Sequence, residues 1–263
     1  MNAVTTGPTT NSRPRRGRTA HELTVNRVQH PVPRVVRVTL QGDSLATFTP
    51  PNPGGHIKIA FGSTNGGPST MRTYTPRRFD PERLELDIEF VLHGEGVASS
   101  WAAAAQIGDE LTVMGPGGRY TPAAPSGVFV IVVDDTAMPA AGTVIEALPV
   151  DTEVIVICEV TDRRDERSLT EDRDLDVTWL HRSEGGAEPG ALLRAALQDL
   201  PAELDADWFV ACEAGAMRGI REHLRNDRAV APERMETRGY WRRGEANYPD
   251  HDYGMPAGAE QVK

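Results

Sequence analysis

The sequence predicts an antiparallel β-barrel followed by a parallel α/β domain, because its apolar residues follow two different patterns. In the first half, short runs of alternating character are separated by proline and glycine clusters, which is typical of antiparallel strands. In the second half, continuous apolar runs alternate with helical segments, which is typical of a parallel sheet covered on both faces. A proline-rich segment, residues 122–125, separates the two patterns. The length of 263 residues leaves room for two domains of ordinary size.

The first half predicts a six-stranded barrel, which we assign to residues 21–123. Residues 84–92 alternate most clearly, since apolar residues such as Leu86 and Ile88 take turns with acidic ones. One alanine-rich helix, residues 98–106, interrupts the strands. The predicted strands are residues 23–28, 34–40, 56–61, a strand around Tyr74, 84–92 and 111–114.

The second half predicts a Rossmann-like domain, which we assign to residues 124–245. Its predicted strands are residues 128–133, 153–160, 177–180 and 208–212, and its predicted helices are residues 137–148, 191–200 and 216–226. Residues 1–20 carry a basic cluster without an apolar core and predict a disordered arm. Residues 246–263 form a C-terminal tail that neither pattern covers.

Composition argues against several classes of function. A formal net charge of −10 and a pI near 5.2 argue against general affinity for nucleic acid or anionic membranes. Two cysteines, Cys158 and Cys212, cannot supply four thiolates to an iron–sulfur cluster, nor do they form a disulfide framework. No stretch approaches the ~18 apolar residues of a membrane span. We therefore expect a cytoplasmic protein with no metal centre of its own and no nucleic-acid or membrane partner, and we take it to be a monomer.

One short motif offers groups that suit a flavin nucleotide. Arg72, Thr73, Tyr74 and Thr75 place a cation, an aromatic ring and hydroxyls within four residues. In a strand, Arg72 and Tyr74 lie on the same face. A cation for a phosphate, a ring for stacking and a hydroxyl for a ring nitrogen together match a flavin. The alternative is an ordinary strand with an exposed arginine and a half-buried tyrosine.

A second motif leads into the predicted helix of the first half. His93 is followed at the helix start by Gly96, Val97, Ala98 and Ser99. Free amide groups and the positive end of the helix dipole at such a start favour a pyrophosphate. The alternative is a plain N-cap with a serine as the capping residue. His93 either contacts ribose or phosphate or is an ordinary hydrogen-bonded histidine.

In the second half, the first predicted strand runs into a polar turn and a helix. Asp135, Thr136 and Ala137 lie at this turn, outside the carboxyl end of the strand, where open parallel sheets bind ligands. The turn lacks the Gly-x-Gly-x-x-Gly pattern of common dinucleotide sites. Its acidic residues can instead cap the helix.

The next predicted strand ends in a segment that holds both acidic and basic residues. Glu159 would suit the ribose hydroxyls of NADH, whereas Arg163 and Arg164 would suit the 2′-phosphate of NADPH. A solvated charged loop is the alternative. Both donors therefore stay open, with NADPH favoured.

Two further segments combine glycines with other special residues. Residues 115–118 read Gly-Pro-Gly-Gly and predict a structural turn where the chain crosses between the domains. Residues 238–244 place Tyr240 and Trp241 between glycines and arginines. This segment can cap a planar cofactor, form an anion-binding rim, or pack the C-terminal part of the chain on the core.

Six segments of the sequence, taken in order, resemble the siderophore-interacting protein family of FAD-dependent ferric-siderophore reductases. The resemblance covers about residues 22–245. It rests on Arg72-Thr73-Tyr74-Thr75, His93-Gly94 with Gly96-x-Ala98-Ser99-x-Trp101, Gly115-Pro116-Gly117-Gly118, Asp135-Thr136-Ala137-x-Pro139-Ala140, Glu213 with Arg218 and Arg221, and Gly239-Tyr240-Trp241-Arg242-x-Gly244.

The resemblance implies a flavin-binding barrel followed by a nicotinamide-binding domain. Arg72 would bind the FAD phosphate, Tyr74 would stack on the isoalloxazine, and Thr75 would hydrogen-bond near its reactive nitrogen. The candidate cofactor-binding residues are Arg72, Thr73, Tyr74, Thr75, Asp87, His93, Gly96, Val97, Ala98, Ser99, Tyr240 and Trp241. The candidate nicotinamide-binding residues are Asp135, Thr136, Ala137, Arg163, Arg164 and Glu213.

The resemblance also implies a reaction in which NAD(P)H reduces FAD and the flavin reduces ferric siderophore iron, which is released as ferrous iron. The cofactor carries this chemistry, so we name no catalytic acid or base. Because ferric siderophores are often anionic, we expect a substrate patch of arginines. Its candidates are Arg77, Arg78, Arg119, Arg242 and Arg243. The alternatives are a general flavin reductase with another acceptor and a flavin- or siderophore-binding module without turnover.

Two positions depart from the family pattern. Asp134 stands where a glycine is common, and Val97 stands where a proline is common. Asp134 adds negative charge where we expect a nucleotide phosphate, so it predicts weakened nicotinamide binding.

Overall fold

Two sheets, one antiparallel and one parallel, follow each other along the chain. A computed structural model describes residues 19–62, 69–94, 96–118, 120–122, 125, 127–246, 248 and 252. The antiparallel sheet curls into a barrel that is not closed, and the parallel sheet is Rossmann-like. The predicted fold class is therefore confirmed.

The barrel contains seven strands rather than the six predicted. They are β1 (Thr19–Val32), β2 (Val35–Gln41), β3 (His56–Phe61), β4 (Thr70–Tyr74), β5 (Pro76–Asp80), β6 (Glu85–Val91) and β7 (Glu110–Gly117). Helix α1 (Val97–Ala104) lies between β6 and β7. The order is β4-β3-β7-β1-β2-β6-β5, so β4 and β5 are the two edges. Because only Thr75 separates these edge strands in sequence, the sheet must curl until its edges nearly meet.

The predicted pattern misses β5 because Pro76-Arg77-Arg78 has no apolar alternation. Proline is tolerated as the first residue of an edge strand, and the pairing of β5 with β6 shifts register between Pro76 and Arg78. Strand β1 begins at Thr19, inside the range predicted as a disordered arm. Residues 1–18 of that arm lie outside the described residues.

The parallel sheet has five strands in the order β10-β9-β8-β11-β12. Its strands are β8 (Val128–Asp134), β9 (Val154–Val160), β10 (Val177–His181), β11 (Ala206–Glu213) and β12 (Met235–Trp241), and its helices are α2 (Met138–Ala147), α3 (Ala191–Ala196) and α4 (Ala214–Asn226). Strand β12 was not predicted, because its Arg-Gly-Tyr-Trp end is neither alternating nor continuously apolar. Within the described ranges, no helix is long and apolar enough to cross a membrane.

Apolar side chains explain why each half holds together. The barrel interior is filled from every strand except β4 and β5, whose residues pack at its margin. On β8, Ile131 and Val133 pack on one face of the parallel sheet, while Val130 and Val132 pack on the other. Burial of both faces is the reason for the continuous apolar run in this strand.

A buried ion pair joins the two sheets. Glu89 on β6 accepts hydrogen bonds from Arg167, which follows β9, at 3.0 Å and from Arg37 on β2 at 2.7 Å. The side chains of Arg167 and Glu89 are only 7% and 4% exposed. Burial pushes the pKa of Glu89 upward, but the charges and hydrogen bonds of Arg167 and Arg37 outweigh it and hold the pKa below its usual value.

Three further ion pairs, made by two arginines, cross the same boundary. Arg34, between β1 and β2, lies 2.9 Å from Asp162 and 2.6 Å from Asp165. Arg77 on β5 lies 2.7 Å from Glu146 on α2. The barrel and the α/β half are thus fixed against each other by charged side chains from three different barrel segments.

Candidate functional site

A cleft opens between the barrel and the carboxyl edge of the parallel sheet. From the barrel it is lined by Gly54, His56, Arg72, Thr73, Tyr74, Thr75, Glu89, Val91, His93, Gly96, Ala98 and Ser99. From the α/β half it is lined by Thr136, Pro139, Arg238, Gly239, Tyr240, Trp241, Glu245, Ala246 and Tyr248. Apart from Asp87 and Val97, the candidate cofactor-binding residues all line this one cavity.

Strand β4 carries the motif of cation, ring and hydroxyl into the cleft. Arg72 and Tyr74 pair with Ile59 and Ile57 of β3, two residues apart, which places both side chains on the same face. The Tyr74 ring lies 4.6 Å from the Phe90 ring, between centroids, and burial raises the pKa of Tyr74 to about 12. The phenol is therefore neutral at ordinary pH and presents an aromatic surface.

Thr75 connects the barrel to the last strand of the parallel sheet. Its side chain is only 9% exposed, and its hydroxyl shares a hydrogen bond with the hydroxyl of Tyr240 on β12. Burial raises the pKa of Tyr240, so this hydrogen bond joins two neutral groups. Thr75 and Tyr240, both candidate cofactor-binding residues, are thus in contact across the two halves.

Helix α1 begins at the cleft without a side-chain cap. Gly96 is the N-cap residue, and it has no side chain that could accept a hydrogen bond from the first turn. The hydroxyl of Ser99 instead accepts the backbone N–H of His93 at 3.0 Å, which holds the preceding loop against the helix. Gly94 has a φ of 52°, a conformation that favours glycine. The first amide groups of the helix are therefore directed toward the cleft.

The Gly-Pro-Gly-Gly turn packs around a cleft histidine. A Cβ atom at Gly117 would lie 2.3 Å from Nε2 of His56, and one at Gly118 would lie 2.8 Å from Cα of Gly55. Only glycine leaves room for the imidazole there. This contact supports the prediction that the turn is structural, and it places His56 in the cleft.

Asp134 ends β8 and is almost fully buried. Oδ1 accepts the backbone N–H of Thr136 at 3.0 Å and its hydroxyl at 2.5 Å. Oδ2 accepts the backbone N–H of Glu213 at 2.9 Å and Nε1–H of Trp241 at 2.8 Å. Burial, followed by the charge of Asp135, raises the pKa of Asp134 to about 7. This carboxylate therefore ties together the ends of β8, β11 and β12 instead of facing open solvent.

The other acidic candidates at this edge are also engaged within the protein. Asp135 is 6% exposed and lies 3.0 Å from Arg182, which lies 3.1 Å from Glu159. Glu213 is the N-cap of α4, and its carboxylate accepts the N–H of Ala216 at 2.9 Å. Glu159 is fully buried, so it is not open to a ribose hydroxyl.

Among the six candidate nicotinamide-binding residues, only Thr136 lines the cleft. Ala137 is fully buried. Arg163 and Arg164 are largely exposed at the end of β9, and Arg164 pairs with Asp162 at 2.9 Å. The structure thus brings Asp135, Thr136, Ala137 and Glu213 to one edge, with the two arginines farther out.

Of the five arginines expected to form one substrate patch, the four that the structure describes lie in two separate places. Arg77 and Arg78 line a separate cavity with Arg37 and Asp87, because β5 lies at the boundary between the two halves. Arg242 and Arg243 follow β12, where they pair with Glu245 and Glu188. Arg119 lies outside the described residues.

Asp87 lines the separate cavity of Arg77 and Arg78 and not the cleft. Its carboxylate accepts the hydroxyl of Thr39 at 2.6 Å, away from the cleft. Its neighbour two positions on, Glu89, lines the cleft instead. Glu89 is only 6% exposed, and its buried charge is paired with Arg37 and Arg167.

Other residues of the cleft wall were not among the predicted site residues. Arg238 on β12 is 5% exposed and donates to the carbonyl of Gly54 at 3.2 Å, across the boundary. His56 lies on β3, and Tyr248 follows β12. A histidine directly after Gly-Gly was a usable signal for His56, and Arg238 opens the segment of glycines, aromatics and arginines, whereas nothing in the local sequence marks Tyr248.

Two family models match the chain. The model described as siderophore-interacting protein matches residues 127–244. The model described as siderophore-interacting FAD-binding domain matches residues 64–120. The first match covers the α/β half, and the second covers β4 to β7.

Named relatives match along most of their length. Ferric vibriobactin reductase ViuB of Vibrio cholerae is 30% identical over 239 residues, which cover 83% of this chain and 88% of the relative. The NADPH-dependent ferric-chelate reductase of Escherichia coli is 29% identical, with 84% of this chain and 92% of the relative covered.

A solved structure shows the same relationship in three dimensions. The siderophore utilization protein from T. fusca superimposes with a TM-score of 0.80 at 36% identity, covering 89% of this chain and 97% of that one. The siderophore-interacting protein SipS from Aeromonas hydrophila gives a TM-score of 0.75 at 30% identity. With the two family models, these matches confirm the resemblance seen in the motifs, and the chain belongs to the siderophore-interacting protein family.

Proposed function

We propose that this chain is an FAD-dependent reductase that uses NAD(P)H to reduce ferric iron held by a siderophore, so that the iron is released as ferrous iron. The observation that carries the proposal is the cleft itself. Arg72, Tyr74 and the start of α1 line it from the barrel, and Thr136 and Trp241 line it from the α/β half. Membership of the family and the names of the matched relatives support the same activity.

The groups in the cleft fit FAD by their chemistry. Arg72 supplies a cation, and its Nη1 donates to the carbonyl of Met71, which orients the guanidinium. The uncapped start of α1 supplies amide groups for a pyrophosphate. Tyr74 supplies a neutral ring. We assign the isoalloxazine to the side of Tyr74 and Thr75 and the phosphates to Arg72 and the segment from Gly96 to Ser99.

When bound, FAD accepts hydride from a nicotinamide and returns electrons one at a time to ferric iron. The protein binds, orients and screens. Tyr240 and Trp241 exclude water from the α/β side of the cleft, because both are packed between the two halves. We assign no residue as a proton donor or acceptor.

The organisation follows from the same proposal. We place the flavin-binding domain at residues 21–123, the nicotinamide-binding domain at residues 124–245 and a C-terminal tail at residues 246–263. The proposed acceptor is a ferric siderophore. We place the reaction in the cytoplasm and take the protein to be a monomer.

Anaerobic spectroscopy tests the proposed function. Purified protein loaded with FAD should be yellow, should bleach when NADPH or NADH is added, and should regain its colour when a ferric chelate follows. Protein that bleaches but is not reoxidised by any ferric chelate would indicate a flavin reductase with another acceptor. Protein that stays yellow with both nicotinamides would indicate a binding module, and protein that cannot be loaded with FAD would contradict every version of the proposal.

A further inference from the structure

Two side chains of the cleft wall are held by one buried carboxylate. Thr136 and Trp241 line the cleft from the α/β half, and both donate a side-chain hydrogen to Asp134. The hydroxyl of Thr136 lies 2.5 Å from Oδ1, and Nε1 of Trp241 lies 2.8 Å from Oδ2. Asp134 is only 1% exposed and is not one of the residues that line the cleft. It therefore acts on a ligand in the cleft through Thr136 and Trp241.

The hydrogen bonds of Asp134 leave its carboxylate no capacity for a further donor. Oδ1 accepts the backbone N–H and the hydroxyl of Thr136, and Oδ2 accepts the backbone N–H of Glu213 and the indole N–H of Trp241. An ionised carboxylate offers about four lone-pair sites and has no hydrogen to donate. Because burial raises the pKa of Asp134 to about 7, the group is ionised at pH 8, and all its sites are then used within the protein.

This arrangement determines which hydrogen bond Thr136 can offer to a ligand. A threonine hydroxyl has one hydrogen to donate and lone pairs that accept. The hydrogen of Thr136 is donated to Asp134, so its oxygen can only accept a hydrogen bond from a ligand. Glycine, which is common at position 134 in the family pattern, would leave the hydroxyl free to turn and donate.

A nicotinamide that reaches the flavin has a group that matches this acceptor. We assign the flavin ring to Tyr74 and Thr75, and Thr75 bonds to Tyr240. Trp241 follows Tyr240 in sequence and is tied to Thr136 through Asp134, which places Thr136 and Trp241 beside the ring site. The carboxamide of nicotinamide carries N–H donors on the same ring that must lie against the flavin.

We propose that Thr136 accepts a hydrogen bond from the carboxamide N–H of the nicotinamide, and that Asp134 is a positioning residue that directs the Thr136 hydroxyl and holds Trp241 beside it. This inference rests on the proposed function, because it names the group that the site recognises in the electron donor. The site should therefore prefer a pyridine ring with an amide substituent to one whose substituent has no N–H.

Equilibrium binding to the oxidised, FAD-loaded protein tests this preference without turnover. The probes, at pH 8, are NADP⁺ and its 3-acetylpyridine analogue, in which a methyl group replaces the amide nitrogen, together with the corresponding NAD⁺ pair. Calorimetry should give a dissociation constant about 10-fold lower for the amide form, because the analogue leaves the acceptor of Thr136 without a donor. Dissociation constants that agree within about 3-fold in both pairs, or no binding of any probe, would overturn the inference.

Variants of Thr136 assign the preference to its hydroxyl. Thr136→Val keeps the shape and removes the acceptor, so the preference should fall below about 2-fold, whereas Thr136→Ser should retain it. Thr178→Val is the matched control, since it removes an exposed threonine hydroxyl on β10 and should bind both probes as the wild type does. A 10-fold preference that survives in Thr136→Val would show that another group accepts the carboxamide.

The positioning role of Asp134 changes the ratio of the two affinities. In Asp134→Ala the hydroxyl of Thr136 can turn and donate, so the 3-acetylpyridine analogue should gain on the amide form and the preference should fall below about 3-fold. A purely structural role would weaken both probes alike and leave the ratio unchanged, which would overturn the assignment to Asp134. If Asp134→Ala does not fold, Asp134→Gly, with the residue common in the family, takes its place.

The inference and the proposed function fail separately in these experiments. Bleaching of the flavin by NADPH or NADH tests the proposed function and does not depend on the amide preference. Protein that bleaches, although the two members of each pair bind equally, would remain a candidate reductase in which Thr136 does not accept the carboxamide.

Discussion

The barrel and the α/β half differ in how they engage backbone N–H groups beside their helices. In the barrel, α1 begins at the cleft with Gly96 as its N-cap residue, and we propose that this start and Arg72 form an open anion site. In the α/β half, Glu213 caps α4 with its own carboxylate, and Asp134 accepts the N–H of Thr136 just before α2. Carboxylates of the protein therefore already accept N–H groups at the edge of the parallel sheet.

This difference indicates how one chain can bind two nucleotides with unequal demands. A resident cofactor needs affinity, and an open helix start beside Arg72 supplies hydrogen bonds and positive charge for its phosphates. A donor that must leave after each turnover needs less affinity, and the carboxylates of Asp134 and Glu213 already accept N–H groups at the edge of the parallel sheet. A helix start is informative about function only when the groups that occupy it are known.

The largest expected effect concerns the ion pair that keeps the two regions facing each other. Glu89→Gln leaves the buried guanidinium of Arg167 without its carboxylate, and breaking a buried pair costs about 3–5 kcal/mol. We expect the free energy of unfolding, measured in urea, to fall by about that amount. Arg78→Ala is the control, because its pairing with Glu171 at 3.6 Å is exposed on both sides, and it should change stability by less than about 1 kcal/mol. Equal effects of the two changes would mean that the buried pair does not hold the halves together.

The next effect concerns the open site of the barrel. Arg72→Ala removes a cation from the barrel side of the cleft, and we expect the dissociation constant of FAD to rise about 10- to 100-fold, as for the loss of a charge-assisted hydrogen-bonded pair. Flavin occupancy after gel filtration and a fluorescence titration measure this. Arg83→Ala, in the exposed turn between β5 and β6, removes the same charge elsewhere on the barrel and should retain flavin. Unchanged occupancy in Arg72→Ala would show that the flavin phosphates are held elsewhere.

A smaller effect concerns Asp134 at the carboxyl edge of the parallel sheet and depends on pH. Because burial raises the pKa of Asp134 to about 7, the carboxyl group is ionised above that pH and protonated below it. Protonation makes the carboxyl oxygens weaker acceptors, so the hydrogen bond from the Trp241 indole N–H weakens as pH falls from 8 to 6. We expect tryptophan emission to change with a midpoint near 7 in the wild-type protein. The transition should be absent from Asp134→Asn and from Trp241→Phe, and its persistence in either variant would assign it to another group.

The smallest effect concerns the contact between the two regions at the cleft floor. Tyr240→Phe removes the hydroxyl that bonds to Thr75, and such a bond between neutral groups contributes about 1 kcal/mol to stability. We expect Tyr240→Phe and Thr75→Ala each to lower the free energy of unfolding by about 1 kcal/mol. Thr75→Ser, which keeps the hydroxyl, should restore most of this loss. If Thr75→Ser is as unstable as Thr75→Ala, the methyl group rather than the hydrogen bond carries the effect.

The parts of the fold that could be predicted are those in which local pattern and burial agree. Strand β8 is buried on both faces by apolar contacts, so its sequence is continuously apolar. Strand β6 alternates because one face packs in the barrel core and the other carries Asp87 and Glu89, which bond to polar partners. Strands β5 and β12 could not be predicted, because Pro76-Arg77-Arg78 and Arg238-Gly239-Tyr240-Trp241 are shaped by contacts with the other half of the molecule.

The same distinction applies to the candidate site. The Arg72 motif and the start of α1 could be placed in one cleft because their chemistry is local to a strand and a helix start. The role of Asp134 could not be predicted, since its partners Glu213 and Trp241 are distant in sequence. The sequence predicted that this charge would meet a nucleotide phosphate, whereas in the structure it accepts hydrogen bonds from Thr136, Glu213 and Trp241.

The most direct test of the open barrel site is a titration of the flavin-free protein with FAD and with riboflavin, which has the same ring system but no phosphate or adenosine. If the start of α1 and Arg72 read the phosphates, FAD should bind at least about 100-fold more tightly than riboflavin, a difference of ~2.7 kcal/mol. Dissociation constants that agree within about 3-fold would contradict an anion site in this half of the cleft.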